Sequence, residues 1–93
     1  MKRFRILVSE TALKFLRQLE LQLSNRIKEG LKELENDPFR PRPKADIKKL
    51  HGFEKPEMYR IRIGDFRAIY FVIGNEIKVT EIMRRGKDYE WLE

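Results

Sequence analysis

Cysteine is absent from this 93-residue chain, and histidine occurs once, at position 51. Disulfides and thiolate metal sites are therefore excluded, and a closed zinc site lacks ligands. The chain has no apolar run long enough for a membrane-spanning helix. Its first residues also lack the apolar stretch of a signal peptide. We therefore expect a cytoplasmic protein with no metal and no other cofactor.

Positive charge is abundant. Lysine and arginine number 21 against 15 acidic residues, so the net charge is +6 and the pI about 9.8. Hydrophobic residues make up 41% of the chain, which is typical of a globular protein, and the length predicts a single domain over residues 1–93. The charge favours an anionic partner, which could be nucleic acid, an acidic protein or an anionic membrane.

The stretch Glu57–Ile73 predicts a β-hairpin with arginines on one face. On both sides of Gly64-Asp65, every second residue is apolar or aromatic, which is the period of a strand. Gly64-Asp65 is a dipeptide suited to a two-residue turn. With that turn, Arg62 lies opposite Arg67, and Arg60 shares their face. Opposed like charges destabilise a sheet, so we expect an anion to bind there. The planar donor fork of arginine matches phosphate bidentately.

The N-terminal part predicts a strand followed by two helices. Phe4–Val8 is strand-like, and Ser9 is suited to cap the helix that follows. Apolar residues then recur every three or four positions as far as Leu34. This span is too long for one helix in a small domain, so we place a break within Leu19–Asn25. The second helix ends before Pro38.

The remaining segments predict a basic connector and a third strand. Residues 39–56 contain several prolines and are interpreted as an irregular, solvated connector for most of their charges. The alternative is an electropositive rim beside the arginine hairpin, to which Lys48 and Lys49 contribute. After Gly74-Asn75, the strand Glu76–Met83 completes an antiparallel meander. The face expected under the helices comprises Tyr59, Ile61, Ile63, Phe66, Tyr70, Val72, Ile77 and Val79. The opposite face combines the arginines with Ile69, Phe71 and Ile82.

The predicted fold class is therefore α+β. An N-terminal strand and a two-helix hairpin pack on an antiparallel three-stranded meander. The arginine face offers charge, but the sequence has no glycine-rich phosphate loop, no Ser/His pair and no obvious paired carboxylates. His51 is expected to be structural or exposed. Such a set fits a metal-free transesterification of RNA, because the ribose 2′-OH is the nucleophile and the protein supplies geometry and charge.

The segments DIKKLHG, MYRIRIGDFRAIY and RRGKDY, in this order of elements, resemble the RelE/ParE superfamily of toxin–antitoxin proteins. The similarity covers essentially the whole chain and is closest to archaeal and bacterial RelE-type mRNA interferases. It implies a toxin that cleaves mRNA in the ribosomal A site, inhibits translation and is controlled by a cognate antitoxin.

The resemblance also assigns site residues. It implies catalytic roles for Arg62, Arg67, Arg85 and Tyr89, and we assign RNA binding to Arg60, Lys48, Lys49 and Lys87. The familiar bacterial pattern has lysines at positions 60 and 62, and arginine does not give up its proton, so no proton transfer is expected there. Tyr89 either takes the 2′-OH proton or stacks on a base, and the alternative is packing with Trp91 and Leu92.

Two other functions remain open from the sequence. The first is a toxin of the same fold that poisons DNA gyrase, as ParE proteins do. The second is a basic nucleic-acid-binding module without catalysis, for which Phe71 is a candidate stacking residue. The tail containing Arg85 and Tyr89 favours cleavage, because a pure binder has no need of a positioned tyrosine.

Overall fold

The computed structural model describes residues 3–85, in which five strands form one sheet. The elements are β1 (Arg5–Val8), α1 (Glu10–Arg17), α2 (Leu21–Lys32), a 3-10 turn (Glu33–Glu35), β2 (Asp46–Glu54), β3 (Glu57–Ile63), β4 (Phe66–Ile73) and β5 (Glu76–Arg84). The strand order is β1-β5-β4-β3-β2. β1 runs parallel to β5, and the other neighbours are antiparallel. The predicted α+β class and its two helices are confirmed. No helix within residues 3–85 is both long and apolar enough to cross a membrane.

Strand β2 lies where the sequence predicted irregular structure, so that prediction was wrong for residues 46–54. β2 pairs with β3, placing Asp46 opposite Arg62 and Lys48 opposite Arg60. The prolines behind the prediction all precede the strand, and Pro56 lies in the turn that follows it. The sheet therefore has one strand more than the sequence predicted.

The helices begin and end close to where the sequence placed them. The Ser9 hydroxyl accepts the Ala12 N–H (3.1 Å) and donates to the Thr80 carbonyl (2.7 Å), which caps α1 and ties it to β5. The two helices are separated at residues 18–20, which overlaps the predicted break. Helical structure continues through the 3-10 turn to Glu35 and ends before Pro38.

One face of the sheet packs against the helices and forms the core. The buried core residues are Ala12, Leu16, Ile27, Leu31, Leu34, Ala45, Ile47, Ile61, Phe66, Ala68, Tyr70, Ile77, Val79 and Ile82. The predicted apolar face is confirmed, with Tyr59, Ile63 and Val72 at its margin.

Ile82 was predicted on the other face, and that prediction was wrong. The pairing of β4 with β5 shifts between Ile69 and Tyr70, so β5 carries one extra residue there. Because side chains alternate along a strand, one extra residue moves every later side chain to the opposite face. Ile82 therefore lies opposite Ala68 in the core, and Met83 takes the position opposite Arg67.

Candidate functional site

The β3–β4 hairpin presents its arginines as the sequence predicted. Arg62 pairs with Arg67 across the two strands, and Ile63 pairs with Phe66. Gly64 adopts φ +59° in the two-residue turn between them, a conformation that glycine adopts without steric cost. The sheet face opposite the helices, on which Arg60, Arg62 and Arg67 stand, is called the arginine face below.

One row of the arginine face crosses four strands. It runs from Asp46 on β2 through Arg62 on β3 and Arg67 on β4 to Met83 on β5. Arg62 therefore has an acid on one side and a cation on the other. The Asp46 Oδ2 lies 3.7 Å from the Arg62 Nε. Part of the charge at Arg62 is thus balanced within the chain, by a residue that the sequence analysis did not identify.

Arg60 lies deep in the arginine face, with only 5% of its surface exposed. Its Nη1 donates to the backbone oxygen of Asp46 (2.9 Å) and to Asp46 Oδ1 (3.1 Å). Burying a guanidinium is costly unless it is paired and hydrogen-bonded, and Asp46 provides both interactions. The geometry favours a supporting role for Arg60 over the direct RNA contact predicted for it.

Arg62 and Arg67 differ in how far solvent reaches them. Arg67 is 3% exposed, whereas the Arg62 side chain is 40% exposed. Two opposed guanidinium groups of different depth form a cationic site on the sheet. Solvent therefore reaches Arg62, while Arg67 lies buried beside it in the same row.

The two predicted RNA-binding lysines of β2 lie on opposite faces of the sheet. Lys48 is exposed opposite Arg60 and belongs to the arginine face. Lys49 is opposite Tyr59, which packs toward the core, and its Nζ forms an ion pair with Glu57 Oε2 (2.5 Å). The structure brings Lys48 into the site and separates Lys49 from it.

Arg85 follows β5 at the hairpin end of the arginine face. Its backbone N–H donates to the carbonyl of Asp65 in the β3–β4 turn (2.6 Å), and the residue is exposed. Asp65 lies two residues before Arg67, so Arg85 lies at the end of the hairpin that carries the opposed arginines. Lys87 and Tyr89 lie outside the described residues.

Tyr59 and Tyr70 lie on the face that the helices cover. The buried Tyr70 hydroxyl donates to the Pro38 carbonyl (2.7 Å), and burial raises the pKa of Tyr70. Tyr59 stacks on it with ring centroids 5.7 Å apart, and burial, followed by the charge of Glu57, raises the Tyr59 pKa. Neither is suited to act as a base on the arginine face, so a tyrosine base there would have to be Tyr89.

Glu81 and His51 are two further titratable groups on the described sheet. Glu81 is exposed opposite Ile69 on the arginine face, and His51 is exposed on the edge strand β2. Within the part of the chain that the structure describes, no three histidine, aspartate or glutamate residues are grouped to hold a metal ion. The described site offers guanidinium charge and hydrogen-bond donors, which suit an anion and can stabilise charge that develops during a reaction.

Comparisons with known proteins identify the family. A family model described as the ParE toxin of the type II toxin-antitoxin system parDE matches residues 6–89. The curated protein "Putative toxin RelE1" of Methanocaldococcus jannaschii is 34% identical over 95% of this chain and 97% of its own length. "Toxin RelE3" of the same organism is 30% identical over 94% of this chain and 97% of its own.

Solved structures of RelE–RelB complexes contain chains similar to this one. The archaeal RelE–RelB complex of Pyrococcus horikoshii contains a chain with a TM-score of 0.77 and 33% identity, over 91% of this chain and 98% of that chain. A chain of the intact E. coli RelBE toxin-antitoxin complex has a TM-score of 0.69 and 26% identity, over 90% of this chain and 99% of that chain. The protein therefore belongs to the RelE/ParE family of type II toxin–antitoxin toxins and is a RelE-type toxin of the archaeal kind.

Proposed function

We propose that this toxin is a ribosome-dependent mRNA endoribonuclease that cuts mRNA in the ribosomal A site and so inhibits translation. The opposition of Arg62 and Arg67, with Arg85 held at the same hairpin end, carries the proposal. Opposed guanidinium groups weaken a sheet unless an anion lies between them or beside them. A phosphodiester in an RNA strand is such an anion, and planar donor forks match its oxygens.

The reaction is transesterification without metal or other cofactor. The ribose 2′-OH attacks the adjacent phosphorus and loses its proton, while the bond to the 5′ oxygen breaks and that oxygen gains a proton. Exposed Arg62 contacts a non-bridging oxygen, whose negative charge grows in the transition state, and buried Arg67 adds positive charge beside it. Arg85 stabilises charge on the phosphate or on the leaving oxygen. The substrate supplies the nucleophile, so positioning and charge account for the rate.

Tyr89 is the proposed proton acceptor, or a stacking platform for a base. As an acceptor, it would need a pKa below the usual value of about 10. The raised pKa values of Tyr59 and Tyr70, and their place under the helices, support Tyr89 over them.

RNA binding extends from the opposed arginines along the sheet. Exposed Lys48 is suited to contact the backbone of the strand next to the scissile phosphate. Lys87 is proposed to act in the same way near Arg85. Lys49 would contact RNA only where the strand passes around the edge of β2, because it lies on the other face.

We also propose that a cognate antitoxin controls the toxin. The related toxins of Pyrococcus horikoshii and Methanococcus jannaschii were solved as complexes with RelB. The net charge of +6 favours an antitoxin with acidic, amphipathic segments that fold on binding. Covering the arginine face would block access of mRNA to it.

Gyrase poisoning is the second candidate, because the matching family model is described as a ParE toxin. The two functions are separated by one pair of assays. We expect the purified toxin to cleave mRNA on programmed ribosomes and to leave the supercoiling activity of gyrase unchanged. Arg26→Ala, an exposed arginine of α2, is the matched control and should cleave normally. Inhibition of gyrase without mRNA cleavage would overturn the proposal.

A further inference from the structure

The β2 residue Asp46 contacts two arginines of the neighbouring strand at once. Oδ1 accepts a hydrogen bond from Arg60, and Oδ2 is within ion-pair distance of the Arg62 Nε. We propose that Asp46 is a positioning residue that orients Arg62 toward the RNA phosphate, and that Arg60 anchors Asp46. This inference rests on the proposed endoribonuclease function and deepens it.

Arg60 holds Asp46 in place through two hydrogen bonds. Its Nη1 binds both the backbone oxygen of Asp46 (2.9 Å) and Oδ1 (3.1 Å). The Arg60 side chain is 7% exposed, whereas that of Asp46 is 53% exposed. One oxygen of a half-exposed carboxylate is therefore held by a buried guanidinium. The second oxygen then has a defined direction, which is toward Arg62 on the adjacent strand.

The orientation of Arg62 follows from the two edges of a guanidinium. A carboxylate that attracts the Nε edge leaves the outer edge, formed by the two terminal nitrogens, available for a phosphate. Arg67 lies directly opposite on the other side and repels Arg62. The acid on one side and the cation on the other restrict the orientations open to a long, 40% exposed side chain.

The simpler explanation is that Asp46 only lowers the positive charge of the face. The two explanations predict opposite changes in cleavage. In either case, removing the acid should tighten RNA binding, because one negative charge leaves a cationic surface. If Asp46 only lowers charge, cleavage should rise with binding. If Asp46 positions Arg62, cleavage should fall while binding tightens.

Asp46→Asn tests this difference, since it keeps the shape of the side chain and removes its charge. We expect the affinity for a short single-stranded RNA to rise about two- to fivefold, as for removal of an exposed charge contact. We expect single-turnover cleavage on programmed ribosomes to fall roughly 10- to 100-fold, the size of effect that a misplaced catalytic group causes. Glu29→Gln makes the same charge change on exposed α2 and should cleave as the wild type does. Unchanged or faster cleavage by Asp46→Asn would overturn the inference.

A double variant distinguishes positioning from a general loss of structure. In an Arg62→Gln background, Asp46→Asn should cause no further loss of cleavage, because the group that it orients has gone. An equal loss in both backgrounds would overturn the inference. If Asp46→Asn does not fold, Asp46→Glu keeps a charged partner for Arg60 but moves its oxygens by one methylene. Asp46→Glu should fold and cleave slowly, and wild-type cleavage by Asp46→Glu would also count against positioning.

A spectroscopic measurement keeps this inference separate from the proposed function. If the wild-type protein cleaves no mRNA, the proposed function fails, but the orientation of Arg62 can still be observed. We expect the Nε–H resonance of Arg62 in the free protein to be resolved and slow to exchange. Asp46→Asn should broaden it or move it to the position of a solvated arginine. An identical resonance in both proteins would overturn the positioning role.

Discussion

Arg62 lies directly between Asp46 and Arg67 in one row of side chains across three neighbouring strands. Along this row the charge changes from negative at Asp46 on β2 to positive at Arg67 on β4. The site is therefore built by β2 as well as by the β3–β4 hairpin. Two of its exposed cations, Arg62 and Lys48, lie on the neighbouring strands β3 and β2 of this face.

Arg67 is expected to be essential for cleavage. Arg67→Ala should lower single-turnover cleavage by a factor on the order of 10²–10³, because it removes a positive charge that stabilises the phosphate in the transition state. Arg67→Lys should recover only part of the rate, since lysine lacks the bidentate fork. Arg67 is 3% exposed, so the thermal midpoint of each variant is the necessary control. A folded Arg67→Ala protein that cleaves at the wild-type rate would rule out the proposed site.

Arg85 and Tyr89 are expected to contribute separately. Arg85→Ala should lower cleavage through loss of charge stabilisation at the hairpin end. Tyr89→Phe keeps the ring and removes the hydroxyl, so a large fall in single-turnover rate identifies proton transfer, and a wild-type rate leaves stacking or packing. If both variants cleave normally, the tail has no catalytic part and the site reduces to the sheet arginines.

A side chain at Gly30 should destabilise the protein. A Cβ at this position of α2 would lie 2.7 Å from the Cδ1 and Cγ1 of Ile63. Gly30→Ala should therefore destabilise the protein by about 1–2 kcal/mol, since overpacking outweighs the gain in helix propensity. Urea unfolding measures the change, and Asn25→Ala on exposed α2 is the control. In an Ile63→Ala background the penalty should disappear; a penalty that persists there would show that the contact is not its cause.

Stability should decline at alkaline pH because of Tyr70. Burial raises the pKa of Tyr70 in the folded protein, while the unfolded chain titrates near the usual value of about 10. Above that pH the unfolded state releases a proton that the folded state retains, so the free energy of unfolding falls as pH rises. Tyr70→Phe should cost about 1–3 kcal/mol near neutrality through the unsatisfied Pro38 carbonyl. For Tyr70→Phe, the free energy of unfolding measured with urea should fall less steeply at alkaline pH than for the wild type. An equally steep fall would show that Tyr70 is not the group responsible.

The hairpin was predictable residue by residue. Alternation on both strands and the Gly64-Asp65 turn fix one register, and that register sets Arg62 against Arg67. The helix cap at Ser9 and the end of helical structure before Pro38 were predictable for the same reason. Each depends on a local signal of a few neighbouring residues.

Strand β2 and the β5 shift were not predictable by the same reasoning. The alternation of β2 covers only a few residues beside a proline-rich connector, and the proline-free stretch from Lys44 to Lys55 was the available signal. Because β2 was not predicted, Asp46 was not recognised as a partner of the arginines. Arg60 was therefore expected to be accessible, although it is buried. The extra residue of β5 has no glycine to mark it, and it reversed the face of Ile82. Both features depend on how a strand pairs with its neighbour in the sheet, and the alternation of a single strand does not encode that pairing.

The most direct test of the endoribonuclease proposal is cleavage of an mRNA that carries one 2′-deoxy nucleotide at the cut site, on programmed ribosomes. Because the 2′-OH is the proposed nucleophile, the wild-type toxin should cut the all-ribose mRNA and leave a 2′,3′-cyclic phosphate, and should not cut at the deoxy position. Undiminished cleavage at the deoxy position, or no cleavage of the all-ribose mRNA, would contradict the account.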